Sequence, residues 1–187
     1  NLKVVGEFAF SNCISLESLV FPKTTIKLGK GVCYVCLKLS YVELNDNISI
    51  IPDRAFFKNE GLVNIQIPSN VVIIEEYAFS NCISLLNISF LNKIRSIGKY
   101  VCNECLKLKQ VYLSDKIVII PERAFFKNEC LTSINFPNSI EIIEKEAFAN
   151  CSSLTKLSFP VNAYMLGTGV CKNCIKLTSI QLPENLT

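Results

Sequence analysis

One 23-residue unit, repeated eight times without an insertion or a deletion, fills this 187-residue chain. Stepping by 23 from Cys13 gives Cys36, Asn59, Cys82, Cys105, Asn128, Cys151 and Cys174; the same step from Leu16 gives Leu39, Leu62, Leu85, Leu108, Leu131, Leu154 and Leu177. A period of this size marks a solenoid, because no single unit can bury its apolar face except by stacking on its neighbours. The spacing thus predicts one domain, residues 1–187, built as a stack of coils. Asn1 aligns with Asn47 and Thr187 with Ser49, so both ends fall inside a unit and neither shows a polar cap. The expectation is a fragment of a longer array.

Each column of the repeat has a physical reading. The Leu19 column (Val42, Ile65, Ile88, Val111, Ile134, Leu157, Ile180) alternates with the Phe21 column (Leu44, Ile67, Phe90, Leu113, Phe136, Phe159, Leu182) in the period-2 pattern of a strand with both columns facing inward. Proline follows at 22, 68, 137, 160 and 183 and ends that strand. A second apolar pair, as in Ile50-Ile51 and Ile119-Ile120, predicts a short extended segment on the return side. The Ala-Phe pair at 9-10, 55-56, 78-79, 124-125 and 147-148 is expected on a tight helical turn that closes the coil.

Stretches such as Glu76-Tyr77-Ala78-Phe79-Ser80-Asn81-Cys82-Ile83-Ser84-Leu85 and Ile65-Gln66-Ile67-Pro68 resemble the repeat of the BspA-like leucine-rich repeat family, also called the Treponema pallidum type. The likeness runs over the whole chain. It implies the α/β leucine-rich-repeat class: a β-rich, right-handed curved solenoid of eight units with a parallel sheet on its concave side. It also implies a binding or adhesion module, often on the surface of bacteria or parasitic protists. The second, fifth and eighth copies depart from it with Val-Cys for Ala-Phe, and the third and sixth with Asn for the cysteine.

A longer period overlies the short one. Residues 51–60 recur at 120–129 with only Asp53 changed, to Glu122, and the Val-Cys-x-x-Cys copies recur at 32, 101 and 170. Units therefore come in threes, 69 residues apart. Two readings stand, a recent duplication or a spacing of about 14 Å matched to a periodic partner.

Composition narrows the chemistry. The net charge of +3 comes from 19 basic and 16 acidic residues dispersed along the chain, so there is no basic stripe for nucleic acid. Apolar runs such as 32–37 are far short of a membrane span, and no direct insertion into a bilayer is expected of this segment. With no histidine, the usual activation of a serine or cysteine nucleophile is closed, so no enzyme and no cofactor is expected. The C-x-x-C pairs Cys33/Cys36, Cys102/Cys105 and Cys171/Cys174 stand about three rungs apart, too far to share a zinc ion. Cys33, Cys102 and Cys171 occupy the phenylalanine column and read as core fillers; the Cys13 column reads as side chains bonded to the turn backbone; Cys130 stands alone as the expected exposed thiol.

Residues flanking the inward Leu19 column should project from the concave sheet. They are Tyr41, Asn64, Asn87, Gln110, Ser133 and Lys156 in one column and Glu43, Gln66, Ser89, Tyr112 and Asn135 in the next, a nearly neutral face rich in amides and hydroxyls. These are the candidate binding residues, for a protein or a glycan. Phe57 and Phe126 form a rival site, a pair of apolar knobs. Two placements stand: a cell-surface or secreted adhesion module, as the resemblance implies, or an intracellular scaffold or cytoskeleton-associated protein with reduced, buried cysteines. Sequons at Asn47, Asn87, Asn150 and Asn185 permit glycosylation in a eukaryotic secretory route.

Overall fold

The computed structural model describes residues 1–91 and 93–184, which divide into eight coils of 23 residues: 1–23, 24–46 and so on to 162–184. Each coil runs up a return-side strand, round an outer arc, and down the concave side. The return strands are Val4–Val5, Lys27–Leu28, Ile50–Ile51, Ile73–Ile74, Ser96–Ile97, Ile119–Ile120, Ile142–Ile143 and Met165–Leu166. The concave strands are Ser18–Val20, Tyr41–Glu43, Asn87–Phe90, Gln110–Leu113, Lys156–Ser158 and Ser179–Gln181. All pairings are parallel and join residues 23 apart, for example Asn87 with Gln110 and Ile119 with Ile142. The leucine column forms the centre of the core, with Leu39, Leu62, Leu85, Leu108, Leu131 and Leu154 all fully buried.

The expected helical turn is not formed; the described residues contain no helix. The outer arc is a chain of turns in which two residues per coil, four positions apart, take left-handed backbone angles. One column runs Phe8, Gly31, Arg54, Tyr77, Tyr100, Arg123, Glu146, Gly169, and the other Asn12, Val35, Lys58, Asn81, Glu104, Lys127, Asn150, Asn173. A left-handed residue costs an L-amino acid about 1–2 kcal/mol. In return, the alternation turns three N–H groups per coil toward the next coil: Phe8, Phe10 and Asn12 donate to Lys30, Val32 and Tyr34, and this triplet recurs at all seven interfaces with N···O distances of 2.7–3.1 Å. Between them the Ala-Phe pair points inward, and Phe56 stacks on Phe79 at 5.6 Å and Phe125 on Phe148 at 5.5 Å.

The flanking ladders are not continuous. On the return side they form one two-stranded and two three-stranded sheets, and on the concave side three two-stranded sheets. Both sides stop between coils 2 and 3 and again between coils 5 and 6; the concave ladder is also absent between coils 3 and 4 and between coils 6 and 7, because coils 3 and 6 contribute no concave strand. On the return side the cause is proline. Gly29 donates its N–H to Val5 and Glu75 to Ile51, but the same position in coils 3 and 6 is Pro52 and Pro121, which have no N–H to give. Around that position the chain cycles Gly, Pro, Glu: Gly29, Pro52, Glu75, then Gly98, Pro121, Glu144. Each glutamate reaches back, Glu75 Oε2 to the N–H of Asp53 and Glu144 Oε2 to that of Glu122, both at 2.8 Å. The 69-residue period is therefore structural, and the single concave sheet expected from the repeat is divided by it.

Candidate functional site

The concave face is built by the alternation of its strands. Val42, Ile88, Val111 and Leu157 point inward and are buried, so their neighbours on either side project outward. Tyr41, Glu43, Asn64, Gln66, Asn87, Ser89, Gln110, Tyr112, Ser133, Asn135 and Lys156 all lie exposed on this face. Two of them are aromatic and stay open to solvent, Tyr41 at 53 % and Tyr112 at 46 % exposure. Each tyrosine is fixed by a hydrogen bond along its own strand. Tyr41 donates its hydroxyl to Glu43 Oε2 at 2.9 Å, and Tyr112 donates to Gln110 Oε1 at 2.8 Å. The bond to Glu43 holds the Tyr41 phenol above its ordinary range, so it keeps its proton and its donor role.

The eleven residues do not form one flat sheet. Residues 64–66 and 133–135 belong to no strand, and the surface is indented there. A groove of 620 Å³ is lined by Tyr41, Glu43, Asn64, Gln66, Asn87 and Ser89. A second, of 240 Å³, is lined by Gln110, Tyr112, Ser133 and Asn135. The first spans the coil 2/3 break and the second the coil 5/6 break. The return side is indented at the same two interfaces, beside Pro52 and beside Pro121.

Phe57 and Phe126 lie on the outer arc, on another side of the solenoid, and both are half-buried. Phe57 stacks on Tyr34 at 5.0 Å, and the Arg123 guanidinium sits 5.1 Å from the centre of the Phe126 ring. Their faces are thus partly used inside the chain. Next to them runs a ladder the repeat did not announce: Arg54 over Tyr77 at 4.5 Å, Tyr77 stacked on Tyr100 at 4.6 Å, and Arg123 bonded to Glu146. Burial, then the neighbouring phenol, pushes the Tyr77 hydroxyl up. The Arg123 guanidinium, hydrogen-bonded to Glu146, lowers that carboxyl below its usual range. The signal was present in the sequence as planar residues at a 23-residue step, Arg54, Tyr77, Tyr100, Arg123.

The cysteines are free, and those of the Cys13 column bind backbone as expected. Cys36, Cys82, Cys105, Cys151 and Cys174 donate their thiols to the carbonyls of Phe10, Phe56, Phe79, Phe125 and Phe148 of the preceding coil, at 3.0–3.2 Å. Within two C-x-x-C pairs the thiol–thiol bond, and then burial, push Cys33 and Cys171 up, while the same bond lowers their partners Cys36 and Cys174 against the effect of burial. Cys33 and Cys102 are buried in the core; Cys171 is half-buried. Cys130 is half-buried too, and the exposed thiol is Cys13, whose coil has no neighbour on one side in this chain. Among the described residues no group of three or more His, Cys, Asp or Glu side chains could hold a metal ion. No helix among the described residues is long and apolar enough to cross a membrane.

A family model described as the BspA type leucine-rich repeat region matches the chain in six copies, over residues 1–105 and 72–187. The fold resembles a leucine-rich repeat protein of Treponema pallidum, with 24 % identity over 95 % of this chain and 72 % of that one, at a TM-score of 0.66. A leucine-rich repeat protein of Eubacterium ventriosum matches 99 % of this chain and 59 % of its own at 19 % identity and a TM-score of 0.70. A protein of Faecalibacterium prausnitzii described as a leucine-rich cell surface protein matches 94 % of this chain and 62 % of its own at 22 % identity and a TM-score of 0.61. The chain thus spans between 59 % and 72 % of the length of these three proteins. No curated protein matches the sequence.

Proposed function

The chain belongs to the BspA type leucine-rich repeat family, and from that premise we propose that it is a non-catalytic recognition module of a cell-surface or secreted protein. It captures a macromolecular partner on its concave face. The observation that carries this reading is the row of exposed amide, hydroxyl and tyrosine side chains on that face, each placed by a strand or groove whose opposite side is core. Rigid aromatic anchors surrounded by directional polar groups suit recognition. The absence of histidine, which closes the commonest routes to an activated nucleophile, supports a role without catalysis. The description of the Faecalibacterium prausnitzii relative supports the placement at a surface.

The test is adhesion of the purified chain to intact cells and extracellular matrix, compared with a Tyr41→Ala/Tyr112→Ala double variant of matched thermal stability. Capture should fall at least about tenfold in the variant. Unchanged capture would remove the concave face from the reading.

One observation favours a second reading, an intracellular scaffold: all ten cysteines are free, and seven of them are buried. The mass of the chain from its native source, alkylated with and without reductant, separates the two. Ten labelled thiols without sugar support the scaffold. Sugars at Asn47, Asn87 or Asn150, or thiols that label only after reduction, support the surface protein. Asn185, the remaining sequon, lies outside the described residues.

A further inference from the structure

The two concave grooves share a construction that singles out one kind of ligand. Each opens where the strand ladder stops, beside a coil whose residues 64–66 or 133–135 carry an amide or a hydroxyl on the outward side and join no sheet. Each has one tyrosine at its wall with the hydroxyl already bonded to a neighbour, to Glu43 in the first and to Gln110 in the second. The bond fixes the side chain along its strand, and about half of it stays open to solvent.

We propose that the two grooves are subsites for a neutral, linear oligosaccharide, the first centred on Tyr41, Asn64 and Gln66 and the second on Tyr112, Ser133 and Asn135. This rests on the reading of the concave face as the recognition surface and names the partner that face takes. Three properties favour it. A sugar hydroxyl both donates and accepts, and Asn64, Gln66, Asn87 and Asn135 each present a donor and an acceptor on one planar group. Charge is nearly absent: Glu43 is the one ionised side chain among the outward residues of the first groove, and the second has none. An aromatic face beside such amides meets the C–H side of a pyranose while the amides take its hydroxyls.

The rival occupants fit less well. A protein partner needs an apolar anchor region that becomes dry at the centre of the interface; beside its phenol ring each groove exposes one aliphatic side chain, Val63 in the first and Leu91 in the second, and the other outward residues are polar. An added peptide strand would have to enter the interrupted ladder. The outer arc ties coils 2 and 3 together through Gly31 to Asp53, Cys33 to Ala55 and Val35 to Phe57, each at 2.8 Å, so the coils stay one rung apart and leave no width for another strand.

The test is an NMR titration of the whole isotope-labelled chain with neutral linear hexasaccharides of glucose, mannose and xylose, and with an anionic hyaluronan hexasaccharide as contrast. At least one neutral series should shift the amides of residues 64–66 and 133–135 in a saturable way. Tyr41→Ala should weaken the first site about tenfold and leave the second unchanged; Tyr112→Ala should do the reverse. No saturable shift up to about 10 mM of any neutral series, shifts outside the grooves, or binding of the anionic sugar alone would overturn the assignment. If the sugars fail while the double tyrosine variant still loses adhesion, the concave reading stands and the oligosaccharide falls. If adhesion is indifferent to the tyrosines as well, both fall.

Discussion

Asn59 accepts the buried backbone N–H of Cys36, one coil below it, through Oδ1 at 2.9 Å. Asn128 does the same for Cys105 at 3.0 Å. These are the two interfaces where the flanking ladders stop, so the side chain supplies a cross-coil bond where the sheets supply none. In the other coils a cysteine takes the position and bonds the preceding coil through its thiol. The amide is an imperfect tenant, since both Nδ2 groups are buried with no hydrogen-bond partner among the described residues.

Replacing Asn59 by leucine should therefore cost about 1–3 kcal/mol, because it strands the Cys36 N–H in the core. Asn59→Cys, which grafts in the pattern of the other coils, should stay within about 1 kcal/mol of the parent. Urea denaturation decides between them, and a leucine variant as stable as the parent would remove Asn59 from any role in holding coils 2 and 3.

Val35 carries a φ of 61°, in a column whose other members include Asn12, Asn81, Asn150 and Asn173. A β-branched side chain is badly suited to that backbone, and asparagine tolerates it. Val35→Asn should raise stability by about 1 kcal/mol. A lower unfolding midpoint would mean that the lost valine contacts outweigh the relief of backbone strain.

A Cβ on Gly98 would stand 2.4 Å from the backbone nitrogen of Glu76, whereas one on Gly6 would meet nothing within 4 Å. Gly98→Ala is expected to force the rungs apart and cost more than about 2 kcal/mol, with Gly6→Ala within about 0.5 kcal/mol of the parent. Equal midpoints for the two variants would show that the rung spacing at coil 5 is adjustable.

Alkali should weaken the fold through its buried thiols. Burial pushes Cys82 and Cys105 well up and Cys151 up to about 12, from an ordinary value near 9. Above pH 9 the unfolded chain gives up these protons while the folded chain keeps them, so the unfolded state binds fewer protons and stability falls as pH rises. The contribution is whole below about pH 9 and each thiol removes about 1.4 kcal/mol per pH unit above it. Urea midpoints should be flat from pH 6 to 8 and descend from pH 9 to 10.5, with a shallower descent in Cys151→Ala, on the order of 1 kcal/mol per unit less. An identical slope in the variant would refute the assignment to Cys151.

The repeat made the coils, the inward columns and the return strands legible because the register never slips: once Leu16 is placed, its column follows at fixed steps. What it could not carry was the difference between copies. Residues 64–66 and 133–135 keep the alternation of a strand yet join no ladder, and an average over eight units hides that. Pro52 and Pro121 were the available sign, since a proline inside a ladder deletes a donor at a known position. The outer arc departs from the helical turn its sequence suggests for another reason. Ala-Phe followed by a polar residue suits a helical turn, and only the demand of a neighbouring coil for N–H donors every second residue makes the alternation with left-handed angles the better solution. The exposed concave columns were legible as positions, and the grooves between them were not.

The two interrupted interfaces also have a mechanical meaning. Pulled along its axis, as a tether in flowing liquid would be, the stack is weakest where only the outer arc and a few side chains cross between coils, at the second and fifth junctions. It should part there first and lengthen in steps of one block, of two coils or of three: 46 or 69 residues, about 160 or about 240 Å of chain at full extension. Such a module yields by instalments under force and keeps most of its coils wound while it does so.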